Sequence, residues 1–170
     1  MLHAGGRRED GMKRLTAPVI LLVAVLCGCR QEKLAEYKEI RFRYPAKFNA
    51  EMSGDALQIS FDTRSYCLVF SDAKQDDSTL DSFVKDRTGG YASDQTEYVD
   101  YTVAGLPAKK VTMDVAIPEE KYNRRICAVI TSINGKYYTF WYYADADAQE
   151  SVSRYEDVFE EILDTVEVKK

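Results

Sequence analysis

Apolar and polar positions fall into three regimes along the chain: one uncharged run near the start, several period-two stretches, and two stretches with helical spacing. Ile40-Arg41-Phe42-Arg43-Tyr44 alternates with period two and stops at Pro45, which predicts a strand with one buried face. Ser53-Gly54-Asp55 reads as a turn, Leu57–Phe61 alternates again, and Tyr66–Phe70 is almost continuously apolar, as an interior strand requires. Leu80, Phe83 and Val84 then fall at i, i+3 and i+4, the spacing of one apolar helix face. Ser78 with Asp81 three residues on reads as a capping box for that helix, and Gly89-Gly90 as its left-handed stop.

Period two returns afterwards. Tyr98–Val103 reaches a turn at Ala104-Gly105, and Pro107 opens a strand in which Val111, Met113, Val115 and Ile117 share a face. Pro118-Glu119-Glu120 breaks it. Arg125–Ile133 and Lys136–Tyr143 flank Asn134-Gly135, the strongest short hairpin signal, since both turn residues tolerate positive φ. A two-residue turn there sets Cys127 opposite Tyr142, Val129 opposite Phe140 and Thr131 opposite Tyr138 on one side. Ala128 and Trp141, with Ile130 and Thr139, take the other. Both sides are largely apolar, so the hairpin belongs in mid-sheet with a layer on each face. A second helix follows, capped by Asp147 with Glu150 and buried along Val152, Tyr155, Phe159 and Ile162. Val166–Val168 reads as a last edge strand. The order is β-β-β-α-β-β-β-β-α, mostly antiparallel, which is the α+β class.

The uncharged run has a different meaning. Met12–Cys29 opens with Lys13 and Arg14, continues through Leu15–Leu26 without a charge, and ends Leu26-Cys27-Gly28-Cys29. That is the layout of a secretory signal, and the run falls short of the ~20 residues a spanning helix needs. Its ending resembles the lipobox of bacterial lipoproteins. The resemblance implies removal of residues 1–28, with Cys29 acylated as the mature N-terminus. Glu9 and Asp10 suit a signal poorly, so Met12 reads as the start of translation. Residues 29–38 then form a lipidated end and a short polar tether, and 39–168 one domain. Lipoproteins of this kind are held at the inner membrane by an aspartate after the cysteine. Arg30 therefore implies the outer membrane, facing the periplasm, in a host that has one.

Composition narrows the chemistry. The removed residues carry four cations and two carboxylates, so the chain's net charge of −5 becomes −7 in the mature protein, which argues against nucleic-acid binding. The single histidine, His3, lies in the removed segment, which excludes Ser-His-Asp and Cys-His catalysis and disfavours zinc and similar metals. The reading is therefore no enzyme, no cofactor, and neither catalytic nor metal residues. Cys67 and Cys127 are left, and two readings stay open: a disulfide, normal in an exported protein, or two buried thiols. Asp145, Asp147 and Glu150 lack a calcium-loop spacing and read as helix capping. Tyr137, Trp141 and Tyr143 of the aromatic hairpin are the candidate ligand surface, for a small ligand, peptide or glycan.

Several of these segments, in order, are similar to the PsbP/DcrB-like superfamily. They are Ile40-Arg41-Phe42-Arg43-Tyr44-Pro45, Leu80-Asp81-Ser82-Phe83, Val103-Ala104-Gly105-Leu106-Pro107-Ala108, Gly135-Lys136-Tyr137-Tyr138, and the ending Glu161-Ile162-Leu163-Asp164-Thr165-Val166. The resemblance implies an α/β/α sandwich around a central, mostly antiparallel sheet. It carries over no functional residue. Metal-linked histidines of the photosynthetic members have no counterpart here. The expectation is a membrane-anchored, non-enzymatic accessory or binding lipoprotein of the cell envelope, with an unidentified envelope protein as partner.

Overall fold

The computed structural model describes residues 31–74, 78–116 and 123–170. The signal segment, Cys29, Arg30, Ile117 and Pro118-Glu119-Glu120 lie outside the described residues. Within them, ten strands and two helices follow in order: β1 (Glu32–Tyr37), β2 (Ile40–Pro45), β3 (Asn49–Ser53), β4 (Ala56–Ser60), β5 (Tyr66–Ala73), α1 (Leu80–Thr88), β6 (Glu97–Val103), β7 (Leu106–Ala116), β8 (Asn123–Ile133), β9 (Lys136–Asp145), α2 (Gln149–Asp164) and β10 (Glu167–Val168). A seven-stranded antiparallel sheet has the order β3-β4-β5-β9-β8-β7-β6, and a small sheet the order β1-β2-β10.

The hairpin lies where its two apolar faces require. β9 sits between β5 and β8 with the expected register, Cys127 opposite Tyr142 and Ala128 opposite Trp141. Asn134 and Gly135 have φ of 49° and 73°, so both turn residues are left-handed, which only a Gly-tolerant pair accepts readily. One face, with Cys127, Val129, Phe140 and Tyr142, packs against Phe159 and Ile162 of α2 and against Ile40 and Phe42 of the small sheet. The other, with Ile126, Ala128, Ile130 and Trp141, packs against Val84, Leu80 and Phe83 of α1. The layers are therefore α1, sheet, then α2 with the small sheet: an α+β sandwich.

Several local readings are corrected. Glu32–Tyr37, taken as tether, is strand β1. Its polarity belongs to a solvent face, where Glu36 and Leu34 stand opposite Arg41 and Arg43, while Ala35 and Tyr37 are buried. Asn49–Ser53, not foreseen as a strand, is the almost wholly exposed edge β3. The α1 cap is Thr79 with Ser82: the Ser82 N–H donates to Thr79 Oγ1 at 3.1 Å and the Thr79 N–H to Ser82 Oγ at 3.0 Å. Ser78 is taken up instead by Tyr137, whose hydroxyl donates to its carbonyl at 3.0 Å. Gly89 is right-handed, φ −59°, and its place is steric, because a Cβ there would stand 2.7 Å from the Lys85 carbonyl oxygen. At α2 the cap is Ala148 without a side-chain bond, and Asp147 accepts instead from the Asn123 N–H at 3.4 Å.

Candidate functional site

The aromatic residues of β9 divide by depth. Tyr137 and Trp141 are 1% and 3% exposed, so they are core and not surface. Tyr137 stacks on Phe83 of α1 with centroids 4.2 Å apart. Trp141 is enclosed by Phe70 at 6.3 Å and Tyr91 at 5.9 Å, and its indole N–H has no acceptor among the described residues. A helix of nine residues, about 13.5 Å long, covers only part of a ten-residue strand that runs to about 33 Å. What it covers is the Tyr137 half. Only Tyr143 of the three candidate residues keeps solvent access, half-buried beside Tyr66 at 4.8 Å. The guanidinium of Arg124 lies 5.9 Å from the Tyr66 ring and 5.6 Å from the Tyr143 ring. Burial and the neighbouring phenols hold the Tyr143 hydroxyl well above the usual tyrosine range. Tyr66 was not singled out by its sequence. The signal was its place at the head of β5, which the register sets opposite Tyr143.

Cys67 and Cys127 are both free and fully buried. Each pairs with Tyr142 from opposite sides of β9. Two antiparallel steps, about 5.5 and 4.5 Å, put their Cα atoms about 10 Å apart. A bridge needs about 4.4–6.8 Å. The disulfide reading gives way to buried thiols. Burial pushes the Cys127 thiol up to about 12 and the Cys67 thiol higher still, so neither is a nucleophile at neutral pH.

The carboxylates at the start of α2 are held by protein groups. Asp145, 7% exposed, accepts from Arg64 at 2.9 Å and from the Asp147 N–H at 3.1 Å. Among the described residues no group of three potential ligands could hold a metal ion. A further polar cluster ties β6 and β7 to α2. The Tyr101 hydroxyl donates to Glu160 at 2.5 Å, and Lys110 pairs with the same carboxylate. Burial and this carboxylate together raise the Tyr101 phenol above its ordinary range. The arrangement is a clasp over the apolar layer.

One end of the molecule gathers the groups that could meet something outside. Gln31, the first described residue, accepts from the Ala46 N–H at 2.7 Å, where β2 ends. Phe48, Phe61 and Tyr155 close that end, with Phe48–Phe61 at 5.0 Å and Phe61–Tyr155 at 5.4 Å. A groove of about 440 Å³ between β2 and α2 is lined by Gln31, Pro45, Ala46, Lys47 and Val158. The Tyr66–Tyr143–Arg124 cluster stands at the same end, just past the β4–β5 turn.

No family model matches the chain, and no curated protein matches it in sequence. Solved structures do match in fold. The chain is similar to cyanobacterial PsbP (CyanoP) from Synechocystis sp. PCC 6803, with 16% identity, a TM-score of 0.53, and coverage of 81% of this chain and 91% of the other. It is similar to LpqN, described as involved in cell envelope biogenesis of Mycobacterium tuberculosis. There the identity is 10%, the TM-score 0.57 and the coverage 82% and 91%. A variant of the protein Mog1 matches at 15% identity and a TM-score of 0.54, over 81% and 96%. The fold is PsbP-like. Likeness at such identities concerns fold and leaves activity to the residues themselves.

Proposed function

We propose that the chain is an extracytoplasmic lipoprotein of the cell envelope, anchored through acylated Cys29 and acting as a non-enzymatic accessory or binding protein. One observation carries this: a cation-led, uncharged run ending Leu26-Cys27-Gly28-Cys29 stands directly ahead of a folded domain whose first strand begins at Glu32. No helix among the described residues is long and apolar enough to cross a membrane, so a lipid would supply the attachment. Two or three acyl chains anchor firmly at ~0.8 kcal/mol per buried CH₂, where one binds marginally. Binding to an unidentified envelope protein is the role that suits a domain with buried thiols and no histidine. The involvement of LpqN in cell envelope biogenesis agrees with that. Arg30 after the lipid-bearing cysteine favours the outer membrane, facing the periplasm, in a two-membrane host.

Metabolic labelling with a fatty acid tests the anchor. Wild type takes up label, and Cys29→Ser takes up none and accumulates as uncleaved precursor. Equal label in both, or none in wild type, overturns the reading. The alternative, a ligand surface on the aromatic hairpin, loses Tyr137 and Trp141 to the core and retains Tyr143.

A further inference from the structure

Among the described residues the seven-stranded sheet ends in two unpaired edges, β3 and β6, and they differ. β3 is five residues long, whereas β6 is seven, with a register to β7 unbroken from Glu97–Thr112 to Val103–Leu106. Folded proteins guard such edges with lysine, proline, a bulge or short length. β6 has none of these, and it pairs with β7 alone among the described residues. It also carries Tyr98 and Val99, large apolar side chains that are 48% and 52% exposed. The turn after it settles which backbone groups are free. Ala104 and Gly105 have φ of 52° and 74°, so this is a two-residue hairpin turn, and its flanking pair, Val103 and Leu106, exchanges both hydrogen bonds. Alternation then commits Tyr101, Val99 and Glu97 to β7 and turns the N–H and C=O of Tyr98, Asp100 and Thr102 outward. Pro107 agrees with that phase, since it has no N–H and falls opposite Thr102, in a pair that needs none. The result is about 23 Å of strand edge with regularly spaced free donors and acceptors, a template for another strand.

We infer that β6 pairs antiparallel with β6 of a second copy of this chain, about a twofold axis through Val99. Charge and the apolar positions choose that occupant and that register. The strand carries Glu97 and Asp100 and no cation of its own. Centring the pair on Asp100 would set two carboxylates face to face, which is destabilising. Centring it on Val99 sets Asp100 opposite Tyr98 of the second copy, and Glu97 opposite Tyr101 of the second copy. No carboxylate then opposes a carboxylate, and each strand supplies the tyrosines that face the other's acids. The outward-facing Tyr98 and Asp100 meet one another, so their free N–H and C=O groups bond across the axis. Val99, half exposed in one copy, packs against itself, as an isologous contact requires. A contact of one strand with another falls below the roughly 1,200 Å² of a stable complex, so the pairing is reversible and a covalent trap suits it. The inference does not rest on the anchor, because the edge is the same with or without an acyl group on Cys29.

The trap is Val99→Cys in the full chain, expressed in its host, oxidised with copper phenanthroline and resolved by electrophoresis without reductant. Residues opposite one another in a non-hydrogen-bonded antiparallel pair have Cα atoms about 4.5 Å apart, within the range a disulfide accepts. Thr102→Cys, exposed on the same strand, is the control, since in this register its two copies stand roughly 20 Å apart. Cys67 and Cys127 are buried, and wild type under the same oxidation sets the baseline for Cys29. Val99→Cys is expected to give a band of twice the monomer mass that reductant removes, about tenfold above wild type, while Thr102→Cys stays at the wild-type level. Adding Tyr98→Pro removes an outward N–H and leaves every bond to β7 in place. The dimer should then form about tenfold more slowly at an unchanged melting temperature, one cross-strand hydrogen bond being lost from each copy. No dimer from Val99→Cys, as much dimer from Thr102→Cys, or a crosslink to a different protein in place of the dimer overturns the inference. So does a dimer that forms as fast with Tyr98→Pro as without it.

Discussion

Replacing Cys67 and Cys127 by alanine, singly and together, distinguishes two molecules that the sequence alone permits. In the structure each thiol is a small buried group on the α2 side of the sheet, packed against Tyr142 from either flank. Trimming one sulfur from such a site removes about one methylene's worth of transfer energy and leaves a small cavity, about 1 kcal/mol in all. The two changes then add to about 2 kcal/mol, since the Cα atoms stand about 10 Å apart, less or more by whatever coupling runs through the shared neighbour Tyr142. A disulfide would behave otherwise. It would close a loop of about 60 residues, which the chain-entropy model values at about 4 kcal/mol. Either single substitution would then lose all of that, and the second would add little. For a domain of this size 1 kcal/mol moves the melting temperature by about 3–4 °C. Thermal melts of the exported protein should therefore show two single variants each about 3–4 °C below wild type, with the double variant about twice as far down. Alkylation without reductant gives an independent reading: no label in the native protein, and label at both Cys67 and Cys127 after unfolding. Single variants each lowered by about 12–16 °C, with no further loss in the double, would refute the register argument. So would a wild type that labels at these positions only after reduction.

Ala104 holds φ of 52°, a left-handed conformation that costs an alanine about 1–2 kcal/mol, in a turn whose next residue, Gly105, already has φ of 74°. Ala104→Gly is expected to raise the melting temperature by a few degrees, net of glycine's greater unfolded freedom, and a lowered value would show that the turn is not built this way. Burial raises the Tyr142 phenol well above its unfolded value near 10, so the folded state keeps a proton that the unfolded chain releases. The stability tied to that proton is complete below about pH 10 and falls by about 1.4 kcal/mol per pH unit above it, so denaturant titrations should show a steep loss there. Phenolate absorbance should rise together with unfolding, and a smooth rise in the folded protein that accounts for every tyrosine would contradict the burial of Tyr142.

The sheet was legible because its centre repeats one message at every level. Asn134-Gly135 sets the register, the register sorts the side chains into two apolar faces, and two apolar faces demand two covering layers. Elements whose apolar content is small were not legible. β1 buries only Ala35 and Tyr37, and its charges meet distant groups that no local window contains: Glu32 pairs with Arg43, Lys33 donates to the Phe48 carbonyl and Glu36 pairs with Lys169. β3 buries nothing fully, so its strand character comes from pairing with β4 alone. The helix starts failed for a related reason. Ser78 and Asp147 both have the right chemistry for a cap, yet each is claimed by a distant group, Tyr137 and Asn123, which sequence spacing does not reveal.

The candidate site shows the same limit in its sharpest form. Six aromatic residues from Tyr137 to Tyr143 suggest a binding surface, but a strand in mid-sheet has two faces and both can be core. Which ring reaches water depends on where α1 lies along β9. Its nine residues, Leu80–Thr88, reach the Tyr137 half of the strand through Phe83, and Tyr143 with Tyr66 stands beyond their reach. Aromatic density in a sequence thus measures how much ring area a fold must place, and the length of the covering helix decides how much of it remains for anything else to touch.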